Sequence, residues 1–345
     1  MLELRLDGIA FRYRNSSFEI TGLDLSFDRN THTALTGPAG GGKTTLLRLL
    51  GGALSPDGGR IMLGTREITS LRASRRPILS VGRDPIYPAR WSVTHWLVAA
   101  LRTRTLDRED RLRELELITE NWSLGSLGDR RYRTLSTGEQ LRLRLAVIEA
   151  LHPAILLAER VLEGASPGEL PDLADRLYRS LRVMGTTVIS EISAGRETGY
   201  CDRAVVLHEG AVIQSGVPQE LHERPASPTT AAAFGVSNLL EVKVRNGKAD
   251  SMIGQWDAPG TPDGPGMAII RADQFSIARE GEDSDLIFGI EEANFSEGRW
   301  HLRGMITGGA HLHVTLPGDL EIHKGRLLPL RYNQDRIVIF PGRRL

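Results

Sequence analysis

The sequence predicts two domains, an α/β domain with a largely parallel sheet followed by a small all-β domain. The chain has 345 residues, and at about 150 residues per domain this length suggests about two domains. Up to about residue 220, apolar strand-like runs alternate with helical runs, a pattern typical of βα units. Beyond Arg224 the character changes to short apolar runs separated by glycine and proline, which predicts an all-β domain.

The composition excludes several classes of protein. Lys and Arg number 43, as do Asp and Glu, so the zero net charge argues against a general nucleic-acid binder. The single cysteine, Cys201, excludes an internal disulfide framework and fits a reducing compartment. The most apolar stretch, residues 143–162, carries five ionisable side chains and cannot span a bilayer as a helix. The N-terminus alternates apolar and charged residues instead of showing a signal peptide, so we expect a cytoplasmic protein.

The elements follow from hydrophobic periodicity and from turn residues. Strands are predicted at 2–10, 18–27, 33–36, 154–157 and 187–192, and helices at 43–51, from 94 to about 122, and at 138–151. The predicted domains are 1–223 for the α/β domain, with a helical subdomain at about 84–135, a linker rich in Pro, Ala and Thr at 224–236, and a β domain at 237–345.

A glycine-rich loop joins the strand at 33–36 to the helix at 43–51. It reads Gly37, Pro38, Ala39, Gly40, Gly41, Gly42, Lys43 and Thr44, with Thr45 following, and it fits the pattern G-x-x-x-x-G-K-[ST]. Glycines allow backbone N–H groups to converge on phosphate oxygens at a helix N-terminus, where the dipole favours anions. Lys43 can reach the β- and γ-phosphates, and Thr44 can ligate magnesium. The loop therefore predicts binding of ATP with Mg²⁺.

A second motif lies about 100 residues further on. Leu135-Ser136-Thr137-Gly138-Glu139 precedes a helix, which is followed by Pro153 and the apolar run AILLA. Phosphate loop, LS-x-G-x motif and apolar strand in this order resemble the ATP-binding subunit of an ABC transporter. The resemblance implies a P-loop NTPase domain of the ABC type. The segment from Cys201 to Leu240 is similar to the passage into a C-terminal OB-like (TOBE) domain of bacterial importers, and MAIIRADQFSIA is most similar to the molybdate-type importers.

The resemblance also implies site residues and partners. Tyr13 stands where an aromatic residue stacks on adenine, and Ser136 and Gly138 stand where the LS-x-G-x motif contacts the γ-phosphate of the opposite subunit. Two sites then form only in a dimer, either a homodimer or a heterodimer with another ABC ATPase. The implied partners are membrane permease subunits and, indirectly, a solute-binding protein, with no nucleic acid. The implied location is peripheral, on the cytoplasmic face of the inner membrane.

The catalytic positions depart from the family pattern. An ungapped count places Glu159 at the Walker B aspartate, where it can hold magnesium, and Arg160 at the glutamate that activates water. A slip of one residue would instead give Ala158 and Glu159 these places. Arginine cannot act as a base because it stays protonated.

The other departures are listed together here: Thr137 and Glu139 replace the usual Gly and Gln, Arg83 replaces the Q-loop glutamine, Ser166 replaces the D-loop aspartate, and no histidine occurs between Val188 and Asp202. Glu139 places a negative charge near the phosphate-binding turn unless it faces away.

Several interpretations remain open from the sequence. The chain either hydrolyses ATP weakly or in dependence on a partner, or remains an active but divergent ATPase, or acts as a non-hydrolysing nucleotide-gated dimerisation module. Arg83 and Arg160 either hold the γ-phosphate or face solvent and surface carboxylates. His311 and His313 lie on one face of a predicted strand, but no further metal ligands accompany them, so we expect surface residues.

Overall fold

The computed structural model describes residues 3–82, 84–166, 168–192, 198–279 and 281–342. These residues divide into two compact units, one ending at Pro218 and the other starting at Gln219. No helix among them is long and apolar enough to cross a bilayer.

The first unit contains both sheets and helices. In chain order its elements are β1 Leu4–Arg12, β2 Glu19–Phe27, β3 His32–Thr36, α1 Lys43–Gly51, β4 Gly58–Leu63, β5 Arg66–Glu67, β6 Leu79–Val81, α2 Val93–Leu101, α3 Arg108–Asn121, α4 Thr137–Leu151, β7 Ile155–Glu159, α5 Leu170–Val183, β8 Thr187–Glu191, β9 Arg203–His208 and β10 Ala211–Gly216. Apart from the helical region predicted from 94 to about 122, the elements predicted from the sequence between 2 and 192 are confirmed, with most ends within about two residues.

The central sheet of this unit has the strand order β10-β9-β3-β8-β7-β6. The strands from β9 to β6 run parallel, and only β10 pairs with its neighbour in the antiparallel sense. In the β7–β8 register Glu159 lies beside Glu191. The carboxyl ends of β3, β7 and β8 therefore meet at one edge, where ligands bind in open α/β sheets.

Helix α1 fills the space between the central sheet and an antiparallel sheet of order β2-β1-β4-β5. Its leucines join one core with Leu157 of β7, whereas the neighbouring Leu156 and Ala158 join a second core with α2, α4 and α5. This alternation follows from the period of two in a strand. The sheet is therefore covered on both faces, as a parallel sheet requires.

The helical region predicted as one segment from 94 to about 122 consists of α2 and α3. Asp107 begins α3 because its side chain accepts a hydrogen bond from the backbone N–H of Asp110 at 2.8 Å. Such a cap satisfies one of the unpaired N–H groups at a helix start. The residues between the two helices thus form a turn with a new helix start instead of a continuous helix.

The second unit is built mainly from strands. Its elements are α6 Pro218–Glu223, α7 Pro228–Ala233, β11 Ser237–Arg245, β12 Lys248–Ser251, β13 Gly254–Asp257, β14 Gly264–Arg271, β15 Phe275–Ile277, β16 Leu286–Ser296, β17 Arg299–Ile306, β18 His311–Pro317, β19 Leu327–Tyr332 and β20 Val338–Pro341. The described strands form antiparallel sheets of order β13-β12-β11-β14-β20 and β15-β19-β16-β17-β18 around a core of their own. The short apolar runs that the sequence shows beyond Arg224 correspond to strands of this unit.

The segment predicted as a linker contains helix α7. Ser227 caps it by accepting a hydrogen bond from Thr230 N at 3.1 Å, and Thr230 is fully buried. The buried guanidinium of Arg271 on β14 donates hydrogen bonds to the carbonyls of Ala231 and His222. Alanine and threonine, which suggest a flexible connection by composition, here pack as a short helix of the second unit.

Candidate functional site

The phosphate loop lies between the carboxyl end of β3 and the N-terminus of α1. Three of its glycines have positive φ angles, 126° at Gly37, 78° at Gly40 and 105° at Gly42. A residue with a Cβ rarely adopts these angles. The glycine pattern in the sequence therefore has a direct backbone cause in this turn.

The loop rests closely on the neighbouring chain. A Cβ at Gly37 would lie 2.1 Å from the carbonyl oxygen of Leu207, and a Cβ at Gly41 would lie 2.5 Å from the same atom. The backbone N–H of Gly210 also donates to the carbonyl of Gly41 at 3.1 Å. Glycine is thus required by space as well as by φ, and the loop forms the glycine-lined cradle that a nucleotide phosphate chain needs.

Lys43 is buried against the phosphate loop and binds its backbone. It is 9% exposed, and its Nζ donates to the carbonyl oxygens of Gly37 at 2.9 Å and Pro38 at 2.8 Å. Burial lowers the pKa of Lys43, Glu191 acts in the opposite direction, and Arg160 lowers it further. A partly desolvated ammonium beside backbone donors is a donor set that fits phosphate oxygens.

Thr44 has a carboxylate partner. Its hydroxyl Oγ1 donates to Glu191 Oε2 at 2.7 Å, and Glu191 is 8% exposed at the last position of β8. Glu191 was not among the residues predicted for the site, although an acidic residue near the end of the predicted strand at 187–192 was the available signal. A hydroxyl and a buried carboxylate are oxygen donors of the type that Mg²⁺ prefers.

Glu159 and Arg160 follow one another at the end of β7. Glu159 Oε1 lies 3.9 Å from Arg48 Nη2, with the carboxylate side chain 36% exposed. Arg160 has a φ angle of 50°, and its Nη2 lies 2.9 Å from Glu163 Oε1. The guanidinium of Arg160 therefore has an acidic partner while it contributes positive potential at Lys43. Arg83, the other arginine expected at the site, lies outside the described residues.

Tyr13 approaches the loop from the antiparallel sheet. Its hydroxyl lies 3.2 Å from Thr45 Oγ1, and its ring contacts Phe11 edge to face at 4.8 Å between centroids. Tyr13 also lines an open hollow of about 720 Å³ together with Arg14 and Asp57. The hydroxyl of Tyr13 is thus held beside the first turn of α1, which follows the phosphate loop.

The LS-x-G-x motif forms the start of α4. Ser136 Oγ accepts from Glu139 N at 3.3 Å, and Glu139 Oε2 accepts from Ser136 N at 2.7 Å, which is a capping box. Arg130 Nη1 lies 3.3 Å from Glu139 Oε1. The hydrogen bond from the Ser136 backbone is the main reason that the pKa of Glu139 is lowered. Glu139 therefore folds back onto its own helix, and the S-x-x-E spacing was the signal for it.

The remaining predicted positions have local contacts of their own. Ser166 Oγ donates to Glu169 Oε2 at 2.6 Å, so this residue stabilises the turn before α5. A Cβ at Gly138 would meet nothing within 4 Å. His311 Nδ1 lies 3.1 Å from Glu291 Oε2 on the β domain, and the backbone N–H of His313 donates to Asn238. Searching the described residues finds no set of three His, Cys, Asp or Glu side chains that could hold a metal ion.

Comparison with known proteins places this geometry in a family. Residues 20–159 match the family model described as ABC transporter. The Fe(3+) ions import ATP-binding protein of Streptomyces avermitilis is 30% identical over 257 residues, which cover 72% of this chain and 73% of the relative. The molybdate/tungstate import ATP-binding protein of Thermococcus kodakarensis is 28% identical over 69% of this chain and 72% of the relative.

A solved structure shows the same fold. The ADP conformation of an ATP-binding cassette of an ABC transporter superposes with a TM-score of 0.57 at 21% identity, over 67% of this chain and 99% of that chain. Fold and phosphate loop together define an ATP-binding cassette. The chain belongs to the family of ABC transporter ATP-binding proteins.

Proposed function

We propose that the chain is the ATP-binding subunit of an ABC importer, coupling ATP binding and weak or partner-dependent hydrolysis to solute uptake. The observation that carries this proposal is the formed phosphate loop with Lys43 at the edge of a parallel sheet. In this function the subunit dimerises, as a homodimer or with another ABC ATPase, against membrane permease subunits. Its place is then the cytoplasmic face of the inner membrane.

The loop accounts for nucleotide binding. Lys43 holds two loop carbonyls, and we infer that it exchanges them for β- and γ-phosphate oxygens when ATP binds. Thr44 and a carboxylate at the sheet edge would supply oxygens toward Mg²⁺, whose chemistry is to offset the charge of the phosphates. Tyr13 would stack on adenine, and Ser136 and Gly138 would complete the site of the opposite subunit.

Weak hydrolysis follows from the residue after Glu159. Arg160 stands at the position of the general base, and a guanidinium cannot accept a proton from water. Losing a general base costs about 10²–10⁴-fold in rate. The ion pair between Arg160 and Glu163 supports this interpretation, because Glu163 is already engaged and does not replace the missing base.

The solute is the least constrained part of the proposal. We propose an oxyanion such as molybdate, with the second unit as a TOBE-type domain. The support is the similarity of MAIIRADQFSIA, which forms β14 and β15, to the molybdate-type importers, together with a relative named for molybdate and tungstate import. Other relatives carry names for different solutes, Fe(3+) ions and sn-glycerol-3-phosphate.

The test of the main proposal is ATP binding and phosphate release by the purified full chain. The Lys43→Ala variant is compared with Lys324→Ala, which removes an exposed lysine of the second unit. We expect wild type and Lys324→Ala to bind ATP equally, and Lys43→Ala to lose binding at least tenfold. Calorimetry measures binding, and a phosphate assay measures release with and without magnesium.

The outcomes separate the candidate functions. Tight binding with phosphate release no higher than for Lys43→Ala supports a subunit that needs an intact partner, or a nucleotide-gated dimerisation module. The Arg160 position favours these two over an independent ATPase. Clear release that Lys43→Ala removes contradicts weak hydrolysis, and unchanged binding by Lys43→Ala contradicts the phosphate-loop assignment. Adding permease subunits then distinguishes the transporter from the module.

A further inference from the structure

We propose that Glu191 has taken over the role of the magnesium-site carboxylate, and that it does so by fixing the hydroxyl of Thr44. This inference rests on the proposed ATP-binding function and specifies how its metal is held. Glu191 is then a positioning residue that also adds negative charge beside the cation. Glu159, at the position where the sequence leads one to expect this carboxylate, has a lesser part.

The hydroxyl of Thr44 has a hydrogen-bond partner in Glu191. A hydroxyl has one proton and two lone pairs. Thr44 Oγ1 donates its hydrogen bond to Glu191 Oε2 at 2.7 Å. The lone pairs of Oγ1 therefore remain available for a cation at the phosphate loop. Outer partners of this kind orient a metal ligand and raise its basicity. The contact therefore prepares Thr44 as a magnesium ligand.

The carboxylates of Glu191 and Glu159 lie in different surroundings. Glu191 is 8% exposed, whereas the Glu159 side chain is 36% exposed and has Arg48 as its ionic neighbour at 3.9 Å. Charges are screened less when they are buried. The Glu191 carboxylate thus acts more strongly on a cation at Thr44 than a partly exposed, already paired carboxylate does.

The register of the central sheet brings Glu159 and Glu191 to the same edge. Glu159 and Glu191 are paired residues on adjacent parallel strands, and such strands lie about 4.8 Å apart. Both residues end their strands at the same edge, so a carboxylate on β8 serves the same ligand edge as one on β7. The side chain of Glu191 is the one that contacts Thr44, the residue of the loop expected to ligate magnesium.

The experiment is a magnesium titration of ATP binding by the full chain, repeated with excess chelator. The variants are Glu191→Gln and, as the matched control, Glu159→Gln on the neighbouring strand. We expect Glu191→Gln to weaken the magnesium affinity of the ATP complex by about 10–100-fold, the range for partners of metal ligands. Metal-free ATP affinity should stay within about threefold of wild type. Glu159→Gln should change the magnesium affinity less than Glu191→Gln.

A direct metal readout accompanies the titration. Mn²⁺ replaces Mg²⁺, and electron paramagnetic resonance counts the metal bound to the ATP complex. If Glu191→Gln does not fold, Glu191→Asp keeps the charge but shortens the reach, and the same weaker metal affinity is expected. The proposal is overturned if magnesium affinity is unchanged in the Glu191 variant, or falls more in Glu159→Gln. If the wild-type chain does not bind ATP without metal, that result would instead contradict the proposed function itself.

Discussion

At the scale of single residues, charge and hydrogen-bond partners decide what each position of the site can do. Two loop carbonyls hold the ammonium of Lys43 by hydrogen bonds, and Glu191 orients the hydroxyl of Thr44. Arg160, by contrast, brings a fixed positive charge to the position directly after β7. The site therefore has groups that fit a nucleotide phosphate, and in the ungapped assignment a guanidinium takes the place of the group that would activate water.

Replacing Arg160 tests this reasoning. Arg160→Glu should raise phosphate release, by up to about 10²–10⁴-fold if the carboxylate reaches the attacking water. The matched variant Arg160→Gln removes the charge but supplies no base, so its release should stay near that of wild type. Release is measured at saturating ATP with magnesium. An unchanged rate for Arg160→Glu, with ATP binding retained, would speak against the ungapped assignment of this position.

A second residue-scale prediction concerns His32 on β3. Its Nδ1 lies 3.0 Å from the carbonyl of Tyr200 and its Nε2 lies 2.7 Å from Ser190 Oγ, so Nδ1 donates and Nε2 accepts in the neutral ring. Burial lowers the pKa of His32 from 6.5 to about 4, although Asp202 acts in the opposite direction. The folded chain therefore resists a proton that the unfolded chain accepts.

The sign of the pH effect follows from these pKa values. Below pH 6.5 the unfolded chain binds a proton on His32 that the folded chain refuses until about pH 4, so the free energy of unfolding falls across this window. The loss is roughly 3 kcal/mol at most. Denaturant unfolding at several pH values measures it. His32→Gln should flatten this dependence, whereas His323→Gln, at an exposed position, should leave it as in wild type.

At the scale of elements, backbone geometry separates two kinds of glycine. Gly41 in the phosphate loop lies against the carbonyl of Leu207, whereas Gly138 in the first turn of α4 has open space beside it. The first glycine is required by the fold of its own chain. The second is not, so a requirement for it would come from a partner.

Alanine at Gly41 should disturb the loop. The added Cβ would lie 2.5 Å from Leu207 O, a backbone atom that cannot turn away. Overpacking of this kind costs about 1–3 kcal/mol, which corresponds to roughly a 5–150-fold loss of ATP affinity if the loop shifts. Calorimetry on the folded variant measures the affinity. Wild-type affinity in Gly41→Ala would contradict the tight fit of the loop against Leu207.

Alanine at Gly138 should behave differently. We expect unchanged or slightly raised stability, because alanine favours the helix and meets no neighbour. ATP binding by the separate chain should also stay at the wild-type level. In a mixed dimer with an intact ABC ATPase, however, the partner's hydrolysis should fall. An unaffected mixed dimer would argue against a role of α4 in the opposite site.

Local motifs made much of this site predictable from the sequence. The phosphate loop needs only eight consecutive residues, and the spacing of Ser136 and Glu139 carries a capping box that the sequence analysis did not use. The Thr44–Glu191 bond joins residues 147 positions apart, so it depends on strand order and not on any local pattern. The short helix α7 was hidden for another reason, because its composition resembles a linker.

At the scale of the whole molecule, each unit has a hydrophobic core of its own. In the second unit, Trp256 Nε1 donates to the Tyr332 hydroxyl at 3.2 Å inside a core formed by strands of both sheets. Arg271 fastens α6 and α7 to this unit through their carbonyls. Lys43, Thr44 and Glu191, the described residues of the candidate site, all belong to the first unit.

A shortened chain tests the independence of the nucleotide site. Residues 1–217, ending before α6, should fold and bind ATP within about threefold of the full chain, since each domain with its own core can fold alone. Circular dichroism checks folding, and calorimetry checks binding, with Lys43→Ala in the same short chain as the control. A folded short chain without ATP affinity would show that the second unit contributes to the site.

The pairing of Glu159 with Glu191 has a consequence for how such proteins diverge. Thirty-two residues of sequence separate these two positions, yet the sheet makes them neighbours at one edge. A carboxylate lost at one strand end can be compensated at the adjacent strand end in a separate mutational step, with intermediates that keep one acid in reach of the loop. During evolution a chemical role can then pass from one strand to the next, while an alignment of the motif alone shows only that a residue has been lost.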